Sequence, residues 1–194
     1  TLRHTPVLRI VAGTDLAARP AHLPGARVEQ ALGGDWPVLV DAAEAEAEGL
    51  LIEAGGETLA RLDFYEAVFD YHREPVAARG EAGLVAAEVW RPRQAHPGDG
   101  APWDLGDWAD RWGPMTLEAA ADIMRRFGRQ SPDEIGRIAP MIRSRADARL
   151  RARAWRRPGR IGSGLAAGDI DVTARRHPYD GFFGVEEVDL RHRR

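Results

Sequence analysis

The chain contains no cysteine, no lysine and no asparagine. Without cysteine there are no disulfides, thiolate nucleophiles, iron–sulfur clusters or Cys-based zinc sites, and a cytoplasmic setting is permitted. Without lysine, all 27 basic residues are arginine. Beside abundant alanine and glycine this reads as a base-composition bias of the source genome, so arginine count alone carries little functional information. No run approaches about 18 consecutive apolar residues and no charged-then-apolar leader opens the chain, so neither a transmembrane helix nor a signal peptide is predicted. A net charge of −3 argues against a wholly cationic nucleic-acid binder. The 6 histidines show no ligand spacing, so no metal is expected.

What is present suits a globular protein: 194 residues, 44% hydrophobic and 29% charged, enough for about one domain plus an extension. The start at Thr1 and the unfinished alternation from Val188 to Arg194 predict a fragment of a longer protein. A short helix is expected over residues 7–11, ending at Gly13, then a loop over 17–24. Short strands follow at 26–32, 36–40 and 49–52, separated by Gly33-Gly34 and by the acidic stretch 41–48. Such close spacing favours a meander or small barrel over βαβ units.

Residues 57–69 read as a helix with Leu59, Leu62 and Phe69 on one side. Strands at 72–79 and 84–90 complete an α+β unit near residue 95. Residues 94–102 form a Pro/Gly/His loop and a domain boundary. A helical extension over 103–157 is expected next, with a turn or two at 107–112 and a helix over 116–127 capped by Thr116. Ser131-Pro132 opens a helix reaching residue 155, with Ser131 and Glu134 in capping-box spacing and a kink or break at Pro140. Residues 158–168 read as a Gly-rich connector, and 170–172 and 182–190 as strands around the turn 177–181.

Glu66 is the most informative residue. On a helix it shares the face of Leu59, Leu62 and Phe69, where partial desolvation raises a carboxyl pKa and makes the carboxylate a better proton acceptor near neutrality. The alternative is a carboxylate at the edge of the stripe that reaches water or pairs with Arg61 or Arg73.

Thr1-Leu2-Arg3-His4, Ala47-Glu48-Gly49-Leu50-Leu51 and Leu62-Asp63-Phe64-Tyr65-Glu66, with Tyr71-His72-Arg73-Glu74-Pro75-Val76 after them, resemble the gamma-glutamylcyclotransferase-like family. The order of the pieces over the first 95 or so residues carries the resemblance. It implies an α+β fold, a small mixed barrel with flanking helices, here followed by the helical extension. It also implies cyclisation of a γ-glutamyl amide to 5-oxoproline plus an amine, with neither metal nor cofactor. Glu66 matches the family's acid/base. The loop at Thr1-Leu2-Arg3 matches the segment that binds carboxylate or oxyanion, and Tyr71 and Arg73 shape the pocket. The family's Tyr-Gly pair would stand just before Thr1.

At the other end, Tyr179-Asp180-Gly181-Phe182-Phe183 and Val188-Asp189-Leu190-Arg191-His192-Arg193-Arg194 resemble the lead-in and first strand of Nudix hydrolases of the ADP-ribose pyrophosphatase type. That resemblance implies a downstream Nudix partner domain in the same chain, with residues 158–194 serving as linker and first strand, and leaves open a non-catalytic docking or dimerisation role for the N-terminal unit. Two other features have bland readings. The arginines between 143 and 160 form either a phosphate-binding face or a solvated helix, with nucleic acid the less favoured partner. Trp103, Trp108 and Trp112 are expected as packing anchors where the helices meet the barrel.

Overall fold

A computed structural model describes residues 1–156, 170–180 and 184–192. They fall into two compact units, Thr1–Leu150 and Arg151–Arg194.

The first unit has the order α1 (Thr5–Ala12), β1 (Ala18–Ala31), β2 (Pro37–Ile52), α2 (Gly56–Ala67), β3 (Tyr71–Gly80), β4 (Gly83–Pro92), β5 (Gly98–Pro102) and α3 (Leu105–Met124), followed by α4 (Pro132–Arg156), which carries on into the second. The expected α+β class with a helical extension is what the chain adopts. Its sheet is antiparallel throughout and open, in the order β2-β1-β3-β4. The far edge of β1 meets β3 at His22 and β5 at Glu29 and Ala31.

Several expectations are corrected, among them the loop over 94–102, where Gly98–Pro102 is a strand paired with β1, and the turn at 177–181, of which 177–180 belong to Ile170–Asp180, a strand. Of the loop expected over 17–24, residues 18–24 are the start of β1, in register with β2 from Ala18↔Ile52 to Pro24↔Glu46. Pro20 and Pro24 sit there because most of the opposite edge of β1 has no ladder to break. The register shifts between Pro24 and Ala26, and Gly25 takes the left-handed conformation at φ 74°, the signature of a β-bulge. The acidic stretch 41–48 does not separate strands, because β2 runs through it. Its Glu44, Glu46 and Glu48 are exposed while Ala47 between the last two is buried, an alternation of period two. Thr116 is not a cap, because α3 begins eleven residues earlier in the chain at Leu105 with Asp104 as N-cap, whose Oδ1 accepts from the Asp107 N–H at 2.8 Å, and it continues through Pro114.

The capping box at the start of α4 forms as its spacing predicts: the Ser131 N–H donates to Glu134 Oε2 at 2.7 Å and the Glu134 N–H to Ser131 Oγ at 3.3 Å. The helix is unbroken through Pro140. Gly136 permits its close approach to α2, since a Cβ there would lie 2.9 Å from the Val68 carbonyl oxygen.

One apolar core joins all four helices: Val7 and Val11 of α1, Leu62 of α2, Ile123 of α3, and Ile135 and Ile142 of α4 are essentially inaccessible to solvent. Trp108 is buried as an anchor, its ring edge-on to His4 at 5.7 Å. The second unit contains the antiparallel pair β6 (Ile170–Asp180) and β7 (Gly184–His192). The connector expected over 158–168 and the residues 181–183 lie outside the described residues.

Candidate active site

A cavity of about 1160 Å³ opens in the first unit, and Thr1, Leu2, Arg3, Glu66, Tyr71 and Arg73 all line it. The elements bring these residues together from distant parts of the chain. Thr1 to His4 form a tight turn before α1, closed by the His4 N–H donating to the Thr1 carbonyl at 3.0 Å. Among the described residues, the N–H groups of Leu2 and Arg3 donate to no backbone carbonyl, which leaves them as donors at the cavity wall. The end of β2, from Glu48 to Ile52, forms a second wall. Glu66 comes from the last turn of α2, and Tyr71 and Arg73 from the start of β3.

Glu66 sits on the buried side of α2 with Leu62 and Tyr65, and its side chain is 9% exposed. Burial pushes its carboxyl up to about 7, because a low-dielectric setting disfavours the charged form. Neither arginine considered as a partner reaches it. Arg61 donates from Nε to the Val11 carbonyl at 3.0 Å and from a terminal nitrogen to that of Ile10 at 3.2 Å, capping α1. Arg73 donates from Nε to Asp63 at 2.8 Å and also binds Glu88. Asp63 in turn accepts from the Trp90 indole N–H at 3.1 Å. Arg73 is therefore a braced wall rather than a free cation, and Arg3 is paired with Glu48 at 3.1 Å.

Two phenols flank the carboxylate. Tyr65 and Tyr71 are both pushed up, first by burial and then by the negative charge of Glu66, Tyr71 to about 12; both stay protonated near neutrality, as neutral donors. The chain turns from α2 into β3 at Asp70, held at φ 64°, whose carbonyl accepts from the Arg93 N–H at 2.9 Å. This reversal sets Tyr71 beside the end of α2.

Sequence reading missed Tyr65, Asp35, Trp36 and Arg143, which also line the cavity. Tyr65 was legible as the neighbour of Glu66. The other three come together only through packing of the β1–β2 turn near α4. Among the described residues no group of three or more His, Asp or Glu side chains is arranged to hold a metal ion, and no helix is long and apolar enough to cross a membrane.

An open antiparallel sheet with a helix-borne buried carboxylate facing a turn with free amides defines the class of site. Residues 1–110 match the family model for gamma-glutamyl cyclotransferase, AIG2-like, and the chain belongs to that family. No curated protein matches it. Among solved structures, the solution structure of At5g39720.1 from Arabidopsis thaliana is similar at 20% identity and TM-score 0.46, covering 68% of this chain and 90% of that one. That of At3g28950.1 from the same plant is similar at 18% identity and TM-score 0.46, covering 66% of this chain and 78% of that one.

Proposed function

We propose that this protein cyclises γ-glutamyl amides to 5-oxoproline and a free amine, with Glu66 as the acid/base. The observation that carries this reading is the buried Glu66 carboxyl, poised at about 7, in a cavity it shares with the amides of the Thr1-Leu2-Arg3 turn. A base poised near the working pH combines availability of the carboxylate with the ability to give the proton back.

In the reaction, Glu66 takes a proton from the substrate α-ammonium, and the resulting amine attacks the γ-carbonyl carbon of the same molecule. Negative charge develops on the carbonyl oxygen, and the Leu2 and Arg3 N–H groups are the donors that stabilise it or hold the α-carboxylate. Protonated Glu66 delivers a proton to the leaving nitrogen as its bond to carbon breaks. In net terms the α-nitrogen loses two protons and the leaving amine gains two. Tyr71 and the Arg73–Asp63–Trp90 network shape the pocket. The substrate is a small molecule, the setting cytoplasmic, and no step calls for a cofactor.

The test is 5-oxoproline release by the full-length protein across a panel of γ-glutamyl amines, with Glu66→Gln as control. Release from at least one amine that falls by 100-fold or more in the variant (about 3 kcal/mol of transition-state stabilisation) supports the reading. No release from a folded protein overturns it. A second reading, a binding or assembly module preceding a Nudix-type domain, draws on the separate Arg151–Arg194 unit and is the one a null result would favour.

A further inference from the structure

Beside the cavity lies a cleft of about 370 Å³ between the β1–β2 turn, α3 and α4. Its charged lining side chains are Arg111, Arg143 and Asp35, which leaves one positive charge in excess. The turn is firmly built. Gln30 Nε2 donates to the Gly34 carbonyl at 2.8 Å, and the Trp36 ring lies so close over Gly34 that a Cβ there would meet it at 2.5 Å.

Arg111 stacks over Trp112, 5.2 Å from the ring centroid, and among the described residues it forms no ion pair. Arg143 meets Asp35 Oδ2 through one terminal nitrogen at 2.5 Å, leaving the other edge of its fork for a ligand. Asp35, Trp36 and Arg143 line both this cleft and the cavity that holds Glu66, so the two spaces adjoin. The arginines of the cavity each face a carboxylate, Arg3 with Glu48, Arg19 with Glu53, Arg73 with Asp63 and Glu88, and Arg143 with Asp35, so the excess charge at the cleft is that of Arg111.

We propose that this cleft is a carboxylate subsite, in which Arg111 and Arg143 bind an acidic group carried by the amine that the reaction releases. The inference rests on the cyclotransferase reading of the neighbouring cavity. It makes the preferred leaving group an amino acid or short peptide rather than an uncharged or cationic amine. A planar guanidinium suits a carboxylate in two-point contact, and Trp36 and Trp112 give the apolar part of the leaving group a surface. Both arginines lie beyond residues 1–110 that match the family, so the helical extension supplies the selectivity.

The test uses full-length protein carrying Glu66→Gln, so that ligands bind without turnover, and calorimetric titration with γ-glutamylglycine, γ-glutamylglycylglycine and γ-glutamylethylamide. At least one peptide is expected to bind tenfold or more tightly than the ethylamide. Adding Arg111→Gln and Arg143→Gln together should bring that ratio to within twofold, whereas Asp35→Asn, which breaks the ion pair but keeps both cations, should preserve it. Equal affinities, a ratio indifferent to the arginine changes, loss of the ratio in Asp35→Asn, or no binding of any probe would each overturn the subsite. If the ratio holds but the Glu66 protein releases no 5-oxoproline from any probe, the catalytic reading fails and the subsite stands. If the ethylamide is cyclised as readily as the peptides, the subsite fails alone.

Discussion

At Glu66 the burial that makes the carboxylate a useful base also costs the fold stability. A carboxyl raised from 4.5 to about 7 in the folded chain favours folding in its protonated form. Its stabilising contribution is complete below the unfolded value and is lost as pH rises through about 7, a difference of about 3 kcal/mol. Glu66→Gln mimics the neutral form, so the variant should melt higher than the parent at pH 8 and at the same temperature near pH 4. Calorimetry at the two pH values checks this, and equal melting at pH 8 would show that the group is not held in a desolvated site. Glu66 was legible in the sequence because a charge on an apolar helical face stands out. In the sequence Arg143 is one arginine of a charge run, and nothing local says that it turns to Asp35, which lies more than a hundred residues away in the chain.

At the scale of elements, α1, α2, α4 and the strands β3 and β4 were legible, and the long strands were not. In β2 the residues 41–48 are alanine and acidic residues of poor β-propensity. Only their alternation marked a strand, and it is weak because the buried partner is alanine. In β1 the prolines masked a strand that tolerates them. α3 was legible only in pieces, because Thr116 imitates a cap in mid-helix while the helix runs on through Pro114 from its true cap at Asp104. The helix contacts set the cavity wall. A Cβ at Gly136 would press on the Val68 carbonyl at the C-terminal end of α2, and Gly136→Ala is expected to cost about 1–3 kcal/mol and to lower activity by shifting the turn that carries Glu66. Ser131→Ala, which removes the exposed capping box, should cost about 1 kcal/mol and leave activity unchanged. Urea unfolding curves and 5-oxoproline release together separate the two, and similar losses of activity in both variants would mean that the α2–α4 contact has no special bearing on the site.

At the scale of the whole molecule, the family match ends at residue 110 while the core does not. Ile123, Ile135 and Ile142 are among the most deeply buried side chains, and they lie against α1 and α2 in one cluster. Removing them would expose Val7, Val11 and Leu62 to water, at about 1.5–3 kcal/mol for each large apolar side chain uncovered, against a total stability of about 5–15 kcal/mol for a domain. Residues 1–110 alone are therefore expected to show no cooperative thermal transition, and residues 1–150 to show one; circular dichroism melts distinguish the outcomes. A cooperative transition in the shorter piece would make the helices an accessory rather than part of the fold. The extension was legible as helical, with the Ser131–Glu134 capping box as its sound signal, but that it shares one core with the first 95 residues was not, because its apolar positions read the same whether they pack on one another or on α1 and α2.

The most direct measurement is the pH dependence of kcat/KM for 5-oxoproline release by the full-length protein. With Glu66 as the base, activity should rise tenfold per pH unit on the acid side and level off above about 7, following the carboxyl value set by burial, and Glu66→Gln should lose the activity at every pH. A profile flat between pH 5 and 8, or release that persists in Glu66→Gln, would contradict the account.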